Sequence, residues 1–308
     1  MHEGSQRAIV AAFLANLGIA IAKFVAFAFT GAASMLAEAG HSVADTSNQG
    51  LLIFGGRRAS RPPTPEHPFG YGRERYFWSF VVALILFTAG SLFALFEGEE
   101  KLRHPHELET IWWAVATLVV AIGLEAFSFR TAYRESLRLK RDDESWWTFI
   151  RDAKVPELPV VLLEDTGALI GLLFALGGIG MAELTGNPRW DAIGSLAIGA
   201  LLAFIAITLA GEMKSLLIGE SASPHQLAAI TDALTRSKGV RRLIHLRTEH
   251  LAPECLLVVA KFEPEPGVDV PQLAAIIDQA EAAVRAAVPD AQVIYLEPDV
   301  YRRDLATR

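Results

Sequence analysis

Six stretches of this chain are apolar over the length needed to cross a bilayer, and that excludes most folds. A membrane-spanning helix needs about 20 mostly apolar residues, and in lipid only a helix or a closed barrel satisfies its own backbone. The candidate spans are residues 8–30, 33–56, 76–97, 110–131, 158–181 and 190–212. The first resembles the apolar part of a signal peptide. It is longer than that, carries Asn16 and Lys23, and is followed by equivalent runs, so it reads as a span. The 308-residue chain is 52% hydrophobic, with a mean hydropathy of +0.31, as expected of the membrane class. A net charge of −7 argues against nucleic acid as a partner. The single cysteine, Cys255, leaves no intramolecular disulfide and no thiolate metal site.

Lysine and arginine in the connections set the orientation. Residues 57–75 hold five Arg against two Glu, and residues 130–154 hold seven Lys or Arg. The alternate connections differ: 97–109 has two basic residues against five Glu, and 182–191 has one Arg. The basic connections are therefore expected in the cytoplasm, together with both termini. The expected membrane is a bacterial cytoplasmic (inner) membrane.

Beyond the last span, charged and apolar residues mix. The expected division is a transmembrane domain over 1–213 and a cytoplasmic domain over 214–308. "SPHQLAAITDALTRS" has a capping Ser before helical periodicity, and "DVPQLAAIIDQAEAAVRAAV" has Pro271 in its first turn. "VRRLIHLRTEHL", "ECLLVVAKFEP" and "AQVIYLEP" read as strands. The order α-β-β-α-β predicts a two-layer α+β domain with both helices on one sheet face.

The second span carries a polar stripe. At about 100° per residue with Glu38 as zero, Ser34 falls near −40°, His41 near −60°, Asp45 near −20° and Asn48 near −80°. Ionisable groups at bilayer depth cost about 2.5–3.5 kcal/mol each and persist where they face a bundle interior. His41 and Asp45 are one helical turn apart, with Cβ atoms about 5–6 Å apart, so both can reach one cation. A mixed N/O donor set suits Zn²⁺, and Mn²⁺, Fe²⁺, Co²⁺ or Ni²⁺ less decisively. The bland alternative is a hydrogen-bonded cluster tying helices together.

A tetrahedral site needs donors from a second helix. The fifth span offers Glu164 and Asp165 in "VVLLEDTGALIG". Adjacent residues differ by about 100°, so both cannot point squarely at one ion. Asp165 lies within about one turn of the depth of Asp45. Glu164 is open to three roles: a further ligand, a group that orients ligands, or a proton carrier. Glu125 in the fourth span reads as the partner of a basic group or as the cap of a cavity.

With these features the chain resembles the cation diffusion facilitators, a family of zinc and divalent-cation transporters. "HSVADTSNQGLLIFGGRRA", "HPFGYGRER" at 67–75 and "LLEDTGALIG" carry the resemblance, which extends over essentially the whole chain. It is nearest to the mitochondrial zinc-transporter-like branch. The resemblance implies six spans, a C-terminal ferredoxin-like domain, a homodimer, and export of a divalent cation in exchange for protons. It implies no resident cofactor and no enzymatic activity. The family places two ligands four residues apart on each of spans two and five. His41, Asp45 and Asp165 match, and Val161 stands where the fourth ligand belongs. Glu164, Asn48 and Glu38 remain candidates to complete or support the shell. His67 is a further candidate, because some members bind metal in that cytoplasmic segment. The bland reading there is a turn shaped by Pro68 and Gly70. Some members also hold zinc in the tail; here His245 and His250 are odd-spaced on one strand and point to opposite faces.

The expected mechanism is alternating access around a midplane site. His41 must be neutral to bind metal, and its ordinary pKa of about 6.5 suits proton exchange near neutral pH. Two other classes compete: a metal-binding membrane sensor or accessory protein without transport, and a metal-dependent intramembrane hydrolase. The second lacks a His-Glu-x-x-His motif.

Overall fold

The structure, a computed structural model, describes residues 3–30, 33–105, 111–140 and 144–302. It divides into two compact units: Met1–Arg61 with Glu74–Lys214, and Pro62–Arg73 with Ser215–Arg308.

The first unit is helical. It comprises α1 (Glu3–Thr30), α2 (Ala33–Ala59), α3 (Glu74–Ile85), α4 (Phe93–Arg103), α5 (Ile111–Leu139), the short α6 (Trp146–Asp152), α7 (Glu157–Thr185) and α8 (Arg189–Ile218). A π-helical segment, Leu86–Leu92, joins α3 to α4. Four stretches are long and apolar enough to cross a membrane: Glu74–Arg103, Val115–Leu139, Glu157–Thr185 and Arg189–Ile218. Among the described residues, four of the six expected spans are thus carried by apolarity. In α1 the apolar helix that qualifies is shorter, Ile9–Ala22, among the described residues. In α2 the polar stripe dilutes the apolar surface, which is the price of placing chemistry inside a bundle.

Hydroxyls within these helices bond back onto their own turn: Thr46 to the Ser42 carbonyl at 2.8 Å and Thr166 to the Leu162 carbonyl at 2.6 Å. Small residues let helices approach closely. A Cβ on Gly199 would lie 2.9 Å from the Leu95 backbone nitrogen, and one on Gly98 would lie 2.9 Å from that of Leu196. The Ser91 hydroxyl, inside the π segment, donates to the Gly199 carbonyl at 2.9 Å. α7 stops at Gly186, whose φ of 64° suits a residue without a Cβ.

The aliphatic core of this unit includes Ile9, Leu52, Val82, Leu158, Val161, Leu162, Ile205 and Leu209. These residues come from the starts of α1 and α7, the end of α2, the later part of α3 and the second half of α8. At the starts of α3 and α7, the end of the bundle nearest the chain termini of this unit, Arg75 forms a two-pronged ion pair with Glu157. Its Nε meets Oε1 at 2.5 Å and its Nη2 meets Oε2 at 2.8 Å. Both side chains are buried, at 4% and 1% exposure.

The second unit contains α9 (Pro224–Arg236), β1 (Val240–Ala252), β2 (Cys255–Pro264), α10 (Val270–Ala287) and β3 (Val293–Pro298). This is the expected α-β-β-α-β order. The sheet is mixed and ordered β1-β2-β3, with β1 antiparallel and β3 parallel to β2. Both helices open with capping boxes, Ser223 with Gln226 and Asp269 with Gln272. Alternate residues of β2, Leu256, Val258 and Ala260, are fully buried against Ile230, Leu234, Ala280 and Val284. The intervening residues and Tyr295 face away from the helices. His245 is exposed and His250 fully buried, so the two do not share a face.

Residues 62–73 fold with this unit. Thr64 and His67 exchange backbone hydrogen bonds at 3.0 and 3.2 Å, Gly70 takes a φ of 81°, and the Thr64 and Tyr71 hydroxyls bond at 3.2 Å. Arg73 pairs with Glu249. A Cβ on Gly72 would lie 2.3 Å from the Ala252 Cβ and 3.1 Å from the Leu251 carbonyl oxygen. Gly72→Ala is therefore expected to cost about 1–3 kcal/mol through overpacking and to free this segment. Limited proteolysis of the full chain measures it: cleavage within 62–73 should accelerate.

Candidate metal site

The stripe on α2 faces α7 and α1. Ser42, Asn48 and Gln49 are buried, and Asp45 is partly buried. Glu38 and His41 lie on the α2 backbone, with side chains outside the described residues. On α7, Glu164 is 7% exposed and Asp165 1%.

The two adjacent acids part company. Asp165 turns toward α5, where the Ser128 hydroxyl donates to its Oδ2 at 2.7 Å. Glu164 turns toward α2, where Asn48 Nδ2 donates to Oε1 at 3.1 Å and Gln49 Nε2 donates to Oε2 at 2.8 Å. Gln49 Oε1 in turn accepts from Asn16 Nδ2 at 3.4 Å. The roughly 100° between neighbours on a helix thus sends one carboxylate to each flanking helix. A carboxylate has about four lone-pair sites, so one hydroxyl leaves most of the acceptor capacity of Asp165 available. Asn48 Oδ1 is buried without a hydrogen-bond partner among the described residues.

A cavity of about 210 Å³ separates these groups, lined by Asn16, Ser42, Asp45, Glu125, Glu164 and Asp165 among others. Its further lining includes Gly171, Leu172, Ala175 and Ile198. It therefore extends from the carboxylates along α7 away from the Arg75–Glu157 pair, with Leu86 and Leu202 of the aliphatic core also on its wall. Four carboxylates line it, and among the described residues no Lys, Arg or His does. Acidic groups gathered in a low-dielectric cavity favour protons or a cation for charge balance. Oxygen donors suit divalent cations, and an imidazole from His41 would bias the set toward zinc. The groups surround the space rather than converge: no three His, Cys, Asp or Glu side chains among the described residues stand close enough to hold one ion.

Of the candidates from sequence, Asp45, Glu164 and Asp165 meet at this cavity. Asn48 reaches it through Glu164. Val161, one turn before Asp165, is fully buried in the aliphatic core. His67 belongs to the 62–73 segment of the second unit, where its ring stacks edge-on to Tyr71 with centroids 4.6 Å apart. Two participants, Gln49 and Ser128, escaped the sequence reading. Gln49 lies near +20° on the same helical projection and so belonged to the stripe. Ser128 stands one turn from Glu125. Glu125, read from sequence as the partner of a basic group or the cap of a cavity, lines the cavity at 7% exposure.

A sequence model of the cation efflux transmembrane domain matches residues 9–218. The human mitochondrial proton-coupled zinc antiporter SLC30A9 is 34% identical over 230 residues, 74% of this chain and 40% of that protein. Metal tolerance protein C4 of Arabidopsis thaliana is 29% identical over 253 residues, 81% of this chain and 55% of that protein. The magnetosome protein MamB of Magnetospirillum gryphiswaldense is 20% identical over 285 residues, 92% and 90% of the two chains. This chain spans about 40% of the length of the SLC30A9 proteins it matches. The chain is an integral membrane protein of the cation efflux family, the cation diffusion facilitators, similar to its mitochondrial zinc-transporter branch.

Proposed function

We propose that this protein exports a divalent metal cation, Zn²⁺ foremost, from the cytoplasm in exchange for protons. Asp45, Asp165 and His41 are the ligands, and the transport domain of 1–213 crosses the membrane six times with both termini inside. The observation that carries this reading is the cavity that carboxylates from α2, α5 and α7 line together. Ser128 and the Asn48–Gln49 pair orient the acids, as groups around metal sites commonly do. The cavity extends away from the terminal end of the bundle, which supports reading this conformation as closed to the cytoplasm by the aliphatic core and the Arg75–Glu157 pair. The zinc and proton chemistry in the printed name of SLC30A9 supports the choice of substrate and coupling.

The cytoplasmic domain of 214–308 serves homodimerisation. Its sheet leaves Tyr295 57% exposed on the face opposite the helices, which supports a second copy there.

The test is the full chain reconstituted in proteoliposomes. An imposed proton gradient should drive Zn²⁺ uptake, and collapsing the gradient with a protonophore should stop it. Metal binding at equilibrium without flux favours the sensor or accessory reading. A competition series with Mn²⁺, Fe²⁺, Co²⁺ and Cd²⁺ ranks the substrates.

A further inference from the structure

We propose that Arg130 and Arg134 of α5 bind the headgroup of an anionic phospholipid, whose acyl chain lies along an apolar stripe on the same helix. The site lies outside the cavity and does not depend on the transport reading.

The period of the helix sets the stripe. At about 100° per residue with Phe127 as zero, Val119 falls near −80°, Val120 near +20°, Gly123 near −40°, Arg130 near −60° and Arg134 near −20°. All six residues are exposed, Phe127 at 61%. On a helix of an integral membrane protein, an exposed apolar stripe meets lipid. A Cβ on Gly123 would meet nothing within 4 Å, so the stripe is open at its middle.

The charge at the end of the stripe selects the lipid. Arg130 and Arg134 are one turn apart, and like charges at that spacing oppose the helix unless an anion offsets them. Among the described residues neither has an acidic partner. Arg138, one turn further on, differs: its Nη1 meets the two carboxylate oxygens of Glu135 at 2.9 and 3.0 Å.

Aromatic rings give the depth. Tyr133 stacks on Trp146 of α6 with centroids 5.0 Å apart, and Trp147 stacks on Phe204 at 6.5 Å while staying 48% exposed. Tyr and Trp gather where hydrocarbon gives way to headgroups. Arg130 stands about one turn to the hydrocarbon side of Tyr133, and Arg134 stands beside it on the other. A guanidinium on the apolar side is costly, and its long stem carries it back to the headgroup layer. The anion abundant at that depth is lipid phosphate, which a guanidinium fork matches through two parallel hydrogen bonds. A phosphate on the arginines with a chain along Phe127 and Gly123 uses both parts of the stripe, which a soluble anion does not. Two positive charges with no neighbouring acid favour a headgroup of net negative charge over a zwitterionic one.

Native mass spectrometry of the full chain, titrated with phosphatidylglycerol or phosphatidylcholine, tests this. The unaltered protein should bind its first phosphatidylglycerol about 10-fold more tightly than phosphatidylcholine. Arg130→Gln with Arg134→Gln should erase that preference, with the unfolding midpoint in phosphatidylcholine unchanged. Arg130→Lys with Arg134→Lys should keep part of it, because charge remains and the fork is lost. Arg57→Gln with Arg61→Gln, which removes two exposed arginines elsewhere, should keep all of it. A preference that survives the loss of Arg130 and Arg134, or that falls equally with Arg57 and Arg61, overturns the site. Loss of preference together with a lower midpoint makes the pair structural and overturns it too. Competition by inorganic phosphate at the concentration of the lipid makes the ligand a free anion and has the same consequence. So does a dimer that dissociates in the Gln double variant with its lipid preference intact, since the stripe is then a contact between copies.

Discussion

Asp45→Asn should abolish proton-driven Zn²⁺ uptake while leaving a folded protein. The substitution keeps the shape of the side chain and removes its charge. Asp45 lines the same cavity as Asp165 and lies on the helix that also carries His41. Loss of groups that merely orient ligands costs about 10–100-fold in metal affinity, and loss of a ligand should exceed that range. Asp165→Asn should be equally severe. Ser128→Ala should be milder, because it removes only the 2.7 Å hydrogen bond that aims Asp165. Uptake of radiolabelled zinc into proteoliposomes reads all three, and normal uptake by Asp45→Asn would sink the assignment of the site.

Breaking the Arg75–Glu157 pair should produce the largest loss of stability in the helical unit. The two groups are 4% and 1% exposed and meet through two hydrogen bonds. Removing one partner leaves an uncompensated buried charge, at a cost of about 3–5 kcal/mol. Glu157→Gln should therefore lower the unfolding midpoint sharply. Arg75→Met combined with Glu157→Leu should restore much of it, since an apolar pair of similar volume avoids the desolvation of two ions. A thermal-unfolding double-mutant cycle measures the coupling. The pair also bears on transport. It joins the starts of α3 and α7 at the end of the bundle that the cavity does not reach. In the proposed cycle this contact must open, so the apolar double variant should be stable yet slow. A double variant that transports at the normal rate would remove the pair from the gate.

The sequence was most informative where information is local. Apolar runs dictate helices because lipid offers the backbone no partner, and the period of 3.6 residues alone placed Asp45 and Asn48 on one face. In the tail the sequence likewise read three strands, and the structure turns Leu256, Val258 and Ala260 inward. The same arithmetic extended to Gln49, whose bond to Glu164 is 2.8 Å long. The polar stripe that revealed the site also weakened α2 as an apolar span.

What the sequence could not determine depended on partners far along the chain. It showed that Glu164 and Asp165 cannot share a direction. It could not show that Glu164 would turn to Asn48 and Gln49, some 115 residues earlier, and Asp165 to Ser128 on α5. Nor could it place Val161 among leucines rather than at the cavity, bring Glu125 to the cavity wall, or attach residues 62–73 to Glu249 and Ala252. Periodicity fixes the side of a helix on which a residue lies. Only the packing of helices against one another fixes what that side meets, and for buried carboxylates the neighbour decides between holding a cation and holding a hydrogen bond.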